Sequence, residues 1–399
     1  MYSRLTQIFS NLAFQVLIAL ILGLALGHYF PAFSIKQHFV SAYFIAAAEW
    51  FAAPVIFLTV ASGIAGIASL KKLGRIILKS VVLFELVSTL AIVFGLVMAV
   101  WLKPGVINTD NLHEQVGKYA ELNVNSLKEG GQAFSQSALI VLVLAILVGL
   151  LLHLLPARDR FIQGLDKVRD GVFRLITLFF RLTPLAVLSG MAYTVASFGL
   201  HSILPMGKLI AVMYLSVIIF VFGFLGLMLY LYRFNIWQLL VLIRDELLIV
   251  FGTSSSRSVI PLVIDKLDKF GCSKPVTGFV LSAGYSFNLI GTSIYLGMSI
   301  IFVAQLYHIH LVFSDYLEII LVLMLVSKGA SGVPGAGFVA LSSAVALLPQ
   351  IPFEGLVFIF AVERFLNEAR SITNTIGNAA ATLVIARTEN DFISPSGQP

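Results

Sequence analysis

The stretch ERFLNEARSITNTIGN, residues 363–378, decides how this chain is read. It lies inside an apolar segment that runs from Phe353 to Ala386. Glu363, Asn367, Arg370, Asn374 and Asn378 follow one another at steps of 4, 3, 4 and 4, so a helix brings all five to one face. An ionised arginine at mid-bilayer costs about 2.5–3.5 kcal/mol even on the lenient insertion scale. A membrane helix with Glu363, Arg370 and three amides on one face gains something other than stability. The direct reading is a polar site for ions or a charged solute. The competing reading is a salt-bridged packing stripe between helices.

Composition places this helix in a membrane. The chain has 399 residues, of which 59% are hydrophobic and 12% charged, and its mean hydropathy is +0.97. Soluble domains carry about 25% charged residues. Cys272 is the single cysteine, which excludes an intrachain disulfide and a cysteine metal site. The seven histidines show no ligand spacing such as HExxH. No cofactor is expected, and sodium enters only as a coupling ion. The net charge of +6 raises nucleic acid as a partner. The basic residues cluster beside apolar segments, however, so membrane orientation explains them and no nucleic acid is expected. Residues 11–30 are long enough to span, and no small-residue cleavage site follows them, so no cleaved signal peptide is expected.

Eight segments have spanning length: 11–30, 42–69, 77–102, 136–155, 171–198, 206–232, 276–305 and 353–386. Two further apolar stretches are interrupted, 236–272 by GTSSSRS and 316–350 by GASGVPGAG. Their arms of 13–16 residues reach only partway across a core of roughly 30 Å. Re-entrant helical hairpins fit better than complete spans, because irregular backbone at that depth must line protein or a water-filled cavity. The expected fold is an all-α polytopic membrane protein with eight transmembrane helices plus two re-entrant hairpins. In that layout Arg4, Lys71, Lys72, Arg75, Arg158, Arg160, Lys167, Arg169, Arg233 and Arg387 all fall on one face, which the positive-inside rule makes cytoplasmic. Both termini are then cytoplasmic. The hairpins enter from opposite sides, so 236–305 and 316–386 read as an inverted pair with a midplane site.

Four patches meet near that midplane. Residues 253–258, TSSSRS, offer hydroxyls and free helix-end N–H groups suited to a carboxylate; the alternative is a serine-rich turn. In GYSFNLIGT, residues 284–292, two glycines flank Asn288, so the helix can unwind there and free carbonyls for a cation; the alternative is a tolerated glycine pair. SKGASGVPGAG, residues 327–337, has four glycines and a proline and reads as a lid or as a static turn. The stripe from Glu363 to Asn378 is the fourth. Glu85 stands alone in span three, within FELVSTLAIVFG, either as a carrier of a coupling proton or as the partner of a nearby Lys or Arg.

With these patches in order, the chain resembles the dicarboxylate/amino acid:cation symporter family, the bacterial relatives of glutamate transporters, and most of all its C4-dicarboxylate branch. TSSSRSVIP, GYSFNLIGTSIY, SKGASGVPGAGF and ERFLNEARSITNTIGN stand where that family has two hairpins, a broken seventh helix and an eighth helix. The resemblance covers essentially the whole chain. It implies a homotrimer in the inner membrane that moves substrate by an elevator motion, with the second hairpin as outer gate. Scaffold helices would lie in 1–75 and 136–205, a third helix of the moving part in 76–102, an extracellular loop in 103–135, and the rest of the transport part in 206–399. By position, Ser255, Ser256, Thr292, Val333 to Gly337, Arg370 and Asn374 would surround substrate, with Arg370 clamping a carboxylate. One cation site would use Gly284, Asn288, Asn374 and Asn378. A second would use Ser286 and the backbone of Ser327 to Ala330.

The departures matter as much. Asn367 stands where amino-acid-carrying members have an Asp for the substrate ammonium, which favours dicarboxylates. Asn378 and Ile290 stand where strongly sodium-coupled members have carboxylates, which leaves neutral oxygens and favours protons, with Glu85 and Glu363 as carriers. Arg257 adds positive charge where dicarboxylate relatives often carry Glu. The reading is a proton-coupled importer of succinate, fumarate or malate. A glutamate/aspartate symporter and an uncoupled channel or transport-dead sensor are the alternatives. A hairpin-serine hydrolase lacks a neighbouring base and the GxSxG elbow.

Overall fold

Proline near the first turn and glycine or asparagine at the ends mark out elements that are helical nearly throughout the described residues. The computed structural model describes residues 12–37, 39–49, 75–106, 158–200, 203–253, 255–328 and 335–393, with scattered positions in 54–61 and 141–152. Most of the expected spans 42–69 and 136–155, the loop up to 135, Ser254, Val333 and the glycine-rich tip 329–334 lie outside the described residues.

The helices, in chain order, are α1 (Leu12–Tyr29), α2 (Pro31–Lys36), α3 (Phe39–Glu49), α4 (Arg75–Leu102), α5 (Arg158–Phe179), α6 (Thr183–Phe198), α7 (Ile203–Ile219) and α8 (Gly226–Leu231). They continue with α9 (Ile236–Leu242), α10 (Arg244–Thr253), α11 (Ile260–Phe270), α12 (Lys274–Phe287), α13 (Ile290–Leu306), α14 (Phe313–Ser327), α15 (Ala336–Ala346) and α16 (Leu356–Thr388). A π-helical turn, Phe220–Leu225, joins α7 to α8. Among the described residues, three stretches are long and apolar enough to cross a membrane: Arg75–Leu102, Ile203–Leu231 and Val276–Leu306. A fourth counts if α1 and the helix after Pro31, which meet at 117°, form one span.

The ends have local causes. Pro31, Pro184, Pro261 and Pro275 each sit in the first turn of a helix, where a missing N–H costs nothing. The Asn235 side chain accepts from Trp237 N at 2.8 Å and caps α9. Asp315 reaches back to Val312 N at 2.8 Å and opens α14. Gly271 closes α11 at φ 120°, and Gly335 opens α15 at φ 83°, both left-handed.

One boundary differs from expectation. The basic connection before span five is itself helical: α5 begins at Arg158, breaks in a 3-10 turn at 180–182, and α6 resumes at Thr183. Residues 158–170 contain no proline, and Arg169 pairs with Asp166 one turn back at 2.7 Å, so a charged stretch continues as helix. The break at 180–182 precedes Pro184, which has no N–H to donate to the carbonyl of residue 180.

Hydrogen bonds at the ends fix relative directions. Lys79, near the start of α4, donates to Thr388 O at 2.9 Å at the end of α16 and pairs with Glu389. At the other end of α4, Gln305 donates to Ala99 O at 2.8 Å, and Lys208 donates to Lys103 O at 2.6 Å. So α4 and α13 run the same way, and α7 and α16 run the opposite way. Residues 391–393 lie along the α11–α12 corner, with Ser273 N to Asp391 O at 3.1 Å and Ile393 N to Gly271 O at 2.9 Å.

Packing is densest around α16. Nearly every residue from Leu356 to Ala386 is buried, and α16 packs on α7, α10, α12 and α13. α1 packs chiefly on α6, and α4 on α13. The α4–α13 crossing needs two glycines. A Cβ on Gly95 would strike the Ile294 carbonyl, and one on Gly297 would lie 2.7 Å from Ile92 O. Small residues allow this close backbone approach where apolar burial alone cannot drive helices together.

Candidate functional site

The stripe on α16 is buried along its whole length: Glu363, Asn367, Arg370, Asn374 and Asn378 are each at most 4% exposed. Burial of a polar face all round requires partners inside the protein, and the structure supplies them from three directions. Arg370 Nη1 lies 3.4 Å from Glu363 Oε1, two turns back on the same helix. Its Nη2 donates to Asn367 Oδ1. The guanidinium also stands 5.1 Å from the centroid of the Tyr295 ring on α13, an arrangement that favours a cation. From α15, Gly337 comes so close that a Cβ there would overlap the guanidinium. Arg370 is thus boxed by α16, α13 and the start of α15, and Glu363 is the carboxylate it holds.

One turn further along, Asn374 is shared with α13. Its Oδ1 accepts from Gly291 N at 2.8 Å and Thr292 N at 3.4 Å, and its Nδ2 donates to Thr292 Oγ1 at 3.2 Å. These N–H groups belong to the first turn of α13, which has no intrahelical acceptor for them. One turn on again, Asn378 Oδ1 accepts from Asn288 Nδ2 at 3.0 Å. Asn288 and Leu289 adopt non-helical dihedrals and separate α12 from α13. The flanking glycines do not unwind the helix by positive φ, since neither is among the residues with that conformation. They allow contact instead: a Cβ on Gly284 would strike the Asn378 side chain, and one on Gly291 would strike the Arg370 backbone.

Ile290, fully buried, fills the space next to Gly377, whose Cβ would collide with the isoleucine Cδ1. An apolar side chain therefore occupies this part of the expected cation region. Asn288 Oδ1 is buried with no hydrogen-bond donor among the described residues, so one neutral oxygen remains for a cation.

The other expected residues spread around this centre. Ser256 is fully buried in the turn before α11, which touches α16, and Ser255 precedes it half-buried. Ser327 ends α14, with its hydroxyl on Met324 O at 3.2 Å. Ser286 lies in the last turn of α12; its side chain is outside the described set. Glu85 on α4 pairs with Lys328 at 2.9 Å, which is the partner reading of that carboxylate.

Periodicity did not single out two groups. Arg364 and Glu368, at i and i+4 on α16, form a second buried pair at 3.1 Å, and Arg364 Nη2 also reaches Gly252 O at 3.4 Å near the end of α10. Their spacing was a usable signal, since it puts both on the face flanking the stripe. Tyr295 lay within a quoted motif, but nothing local marks a tyrosine as the platform for a cation.

Buried cationic and amide groups at two helix breaks, with no nucleophile–base pair beside them among the described residues, suit a charged solute that is held and released. Comparison with known proteins agrees. The model of the sodium:dicarboxylate symporter family matches residues 12–388. The C4-dicarboxylate transport protein of Bacillus subtilis (strain 168) is 40% identical over 406 residues, covering 97% of this chain and 95% of the relative. That of Paraburkholderia phymatum is 39% identical over 410 residues, covering 96% and 94%, and that of Paraburkholderia xenovorans is 38% identical over 403 residues, covering 95% and 92%. These relatives are transporters, not enzymes. On a match that runs almost from end to end, this chain belongs to the sodium:dicarboxylate symporter family.

Proposed function

We propose that this protein is a secondary active symporter that imports C4-dicarboxylates such as succinate, fumarate and malate, coupled to protons more than to sodium. The observation that carries the reading is the buried Arg370 guanidinium, presented at the meeting of α13, α15 and α16 with one carboxylate partner, Glu363. A substrate carboxylate replaces Glu363 or joins it on the fork, where two parallel N–H···O bonds are available. Asn367 supplies an amide where an ammonium substrate needs a carboxylate, which supports a dicarboxylate over an amino acid. The names of the relatives support the same substrate class.

Ser255, Ser256, Thr292, Val333, Gly337, Asn367 and Asn374 complete the substrate shell in this proposal. Gly284, Ser286, Asn288, Ser327, Asn374 and Asn378 form the cation region. With Asn378 and Ile290 in place of carboxylates, a sodium ion meets only neutral oxygens, and its affinity falls. The alternating directions of α4, α7, α13 and α16 support their reading as successive spans in an eight-span layout with two re-entrant hairpins; the placing of both termini on the cytoplasmic side of the inner membrane belongs to the same proposal. The scaffold is 1–75 with 136–205, and the moving part is 76–102 with 206–399. A homotrimer and an elevator motion belong to the same proposal.

The test is uptake of labelled succinate into proteoliposomes under inward proton and sodium gradients imposed separately. Accumulation with the proton gradient alone is expected; a strict sodium requirement would overturn the coupling. Arg370→Ala is expected to abolish uptake, and normal affinity in that variant would remove the clamp. Stronger competition by aspartate than by fumarate would favour the acidic amino acid reading. Flux that never exceeds equilibrium would favour a channel.

A further inference from the structure

α12 stops at Phe287, inside the apolar interior of the chain. The last carbonyls of a helix have no donor of their own and carry the negative end of the helix dipole. Such an end at membrane depth attracts a cation. In this structure a side chain answers it. Lys328 Nζ donates to Phe287 O at 3.2 Å and stands 2.9 Å from Glu85 Oε2. Ser88, one turn after Glu85 on α4, approaches the same carbonyl at 3.5 Å. The Lys328 side chain is 17% exposed and that of Glu85 45%, so the ammonium is largely enclosed while the carboxylate faces outward from α4. Lys328 directly follows α14 and leads into the glycine-rich tip.

Three elements thus converge on one positive charge: α4 through Glu85, α12 through its terminal carbonyl, and the end of α14 through the lysine itself. Lys328 and Glu85 are opposite charges next to long apolar runs, and each supplies what the other lacks. The same corner is poor in anionic oxygen elsewhere. Ile290 packs against Gly377, and Asn288 and Asn378 are amides.

We propose that the Lys328 ammonium is a resident cation: it fills the helix-end position at Phe287 that a bound monovalent ion would otherwise take, held there by Glu85. The charge is covalently tied to the tip after α14, so it stays with the protein through a transport cycle and reduces by one the ions that must accompany substrate. The inference deepens the symport reading at the same site, but its test reads ion binding by purified protein. Loss of succinate transport would leave it standing, and its own failure would leave succinate transport standing.

The experiment is thermal unfolding of the purified full-length protein in choline, sodium and potassium chloride at one ionic strength. Lys328→Met is expected to melt several degrees below wild type in choline. Sodium or potassium should restore that loss saturably, with a larger rise than wild type shows. Adding Glu85→Gln to Lys328→Met should remove the recovery. A Lys328→Met protein whose melting is the same in all three salts would overturn the proposal. Acylation of wild-type lysines, read by mass spectrometry, gives a second measure that needs no Lys328 variant. Lys328 should react far more slowly than Lys269, whose side chain is 73% exposed, and faster in Glu85→Gln. Equal rates for Lys328 and Lys269 in wild type would also refute it.

Discussion

At the scale of single residues, the site is a set of amides and one guanidinium whose geometry depends on missing side chains. Gly337 leaves the space that Arg370 fills. In Gly337→Ala the added methyl must displace the guanidinium, and a misplaced clamp loses binding that orientation had secured. A rise in KM for succinate of about tenfold, equivalent to about 1.4 kcal/mol, is expected; an unchanged KM in initial-rate uptake would mean that the glycine is not needed there. Ile290→Asp tests the cation side. A carboxylate set against Gly377 is buried and unpaired unless an ion joins it. The variant should melt lower than wild type without sodium and recover with it, and a sodium-insensitive melting point would remove Ile290 from the cation region. All five stripe residues were legible in the sequence because 3.6-residue periodicity is local. Tyr295 and the approach of Gly337 were not, since both depend on contacts between segments far apart in the chain. The partner of Glu85 was left open for the same reason: Lys328 is 243 positions away, and only the fold brings the two charges to 2.9 Å.

Among the elements, legibility followed the strength of the local signals. The ends at Pro31, Pro261 and Pro275 and the interruption at Asn288 stand where proline, glycine and asparagine announce them. The start of α5 at Arg158 was missed because charge was read as a connection, although paired charges extend a helix as readily as they end one. Crossing angles and depths were not readable at all. The α4–α13 contact depends on Gly95 meeting the Ile294 carbonyl and on Gly297 meeting Ile92, and a glycine in sequence does not say which backbone will approach it. Gly95→Leu forces the two helices apart and should destabilise by about 1–3 kcal/mol or more. Gly164→Ala on α5 is the control, because a Cβ there meets nothing within 4 Å. Thermal unfolding of the two variants side by side decides the point: equal melting points would mean that the crossing is not close-packed.

At the scale of the whole molecule, the proposal of a moving part and a fixed part makes a claim about which contacts must break. α1 packs with α6, while α4, α7, α10, α12 and α13 gather around α16 or one another. Both α6 and α1 touch α16, α6 more extensively. A Cβ on Gly190 of α6 would lie 3.9 Å from Val357 Cγ1 on α16, so side chains at the two positions are in van der Waals contact. The native Cys272 is buried and far along the chain from both positions. Gly190→Cys with Val357→Cys should therefore form a bond on mild oxidation. If α16 must slide against α6 to carry substrate across, the oxidised protein should lose at least about nine-tenths of its succinate uptake and regain it on reduction, while each single variant stays active throughout. Substrate binding should survive the bond, because neither position contributes to the Arg370 box. Full uptake by a completely cross-linked protein would mean that the α6–α16 contact persists through transport. The boundary of the moving part would then have to be drawn elsewhere, and α6 would travel with α16.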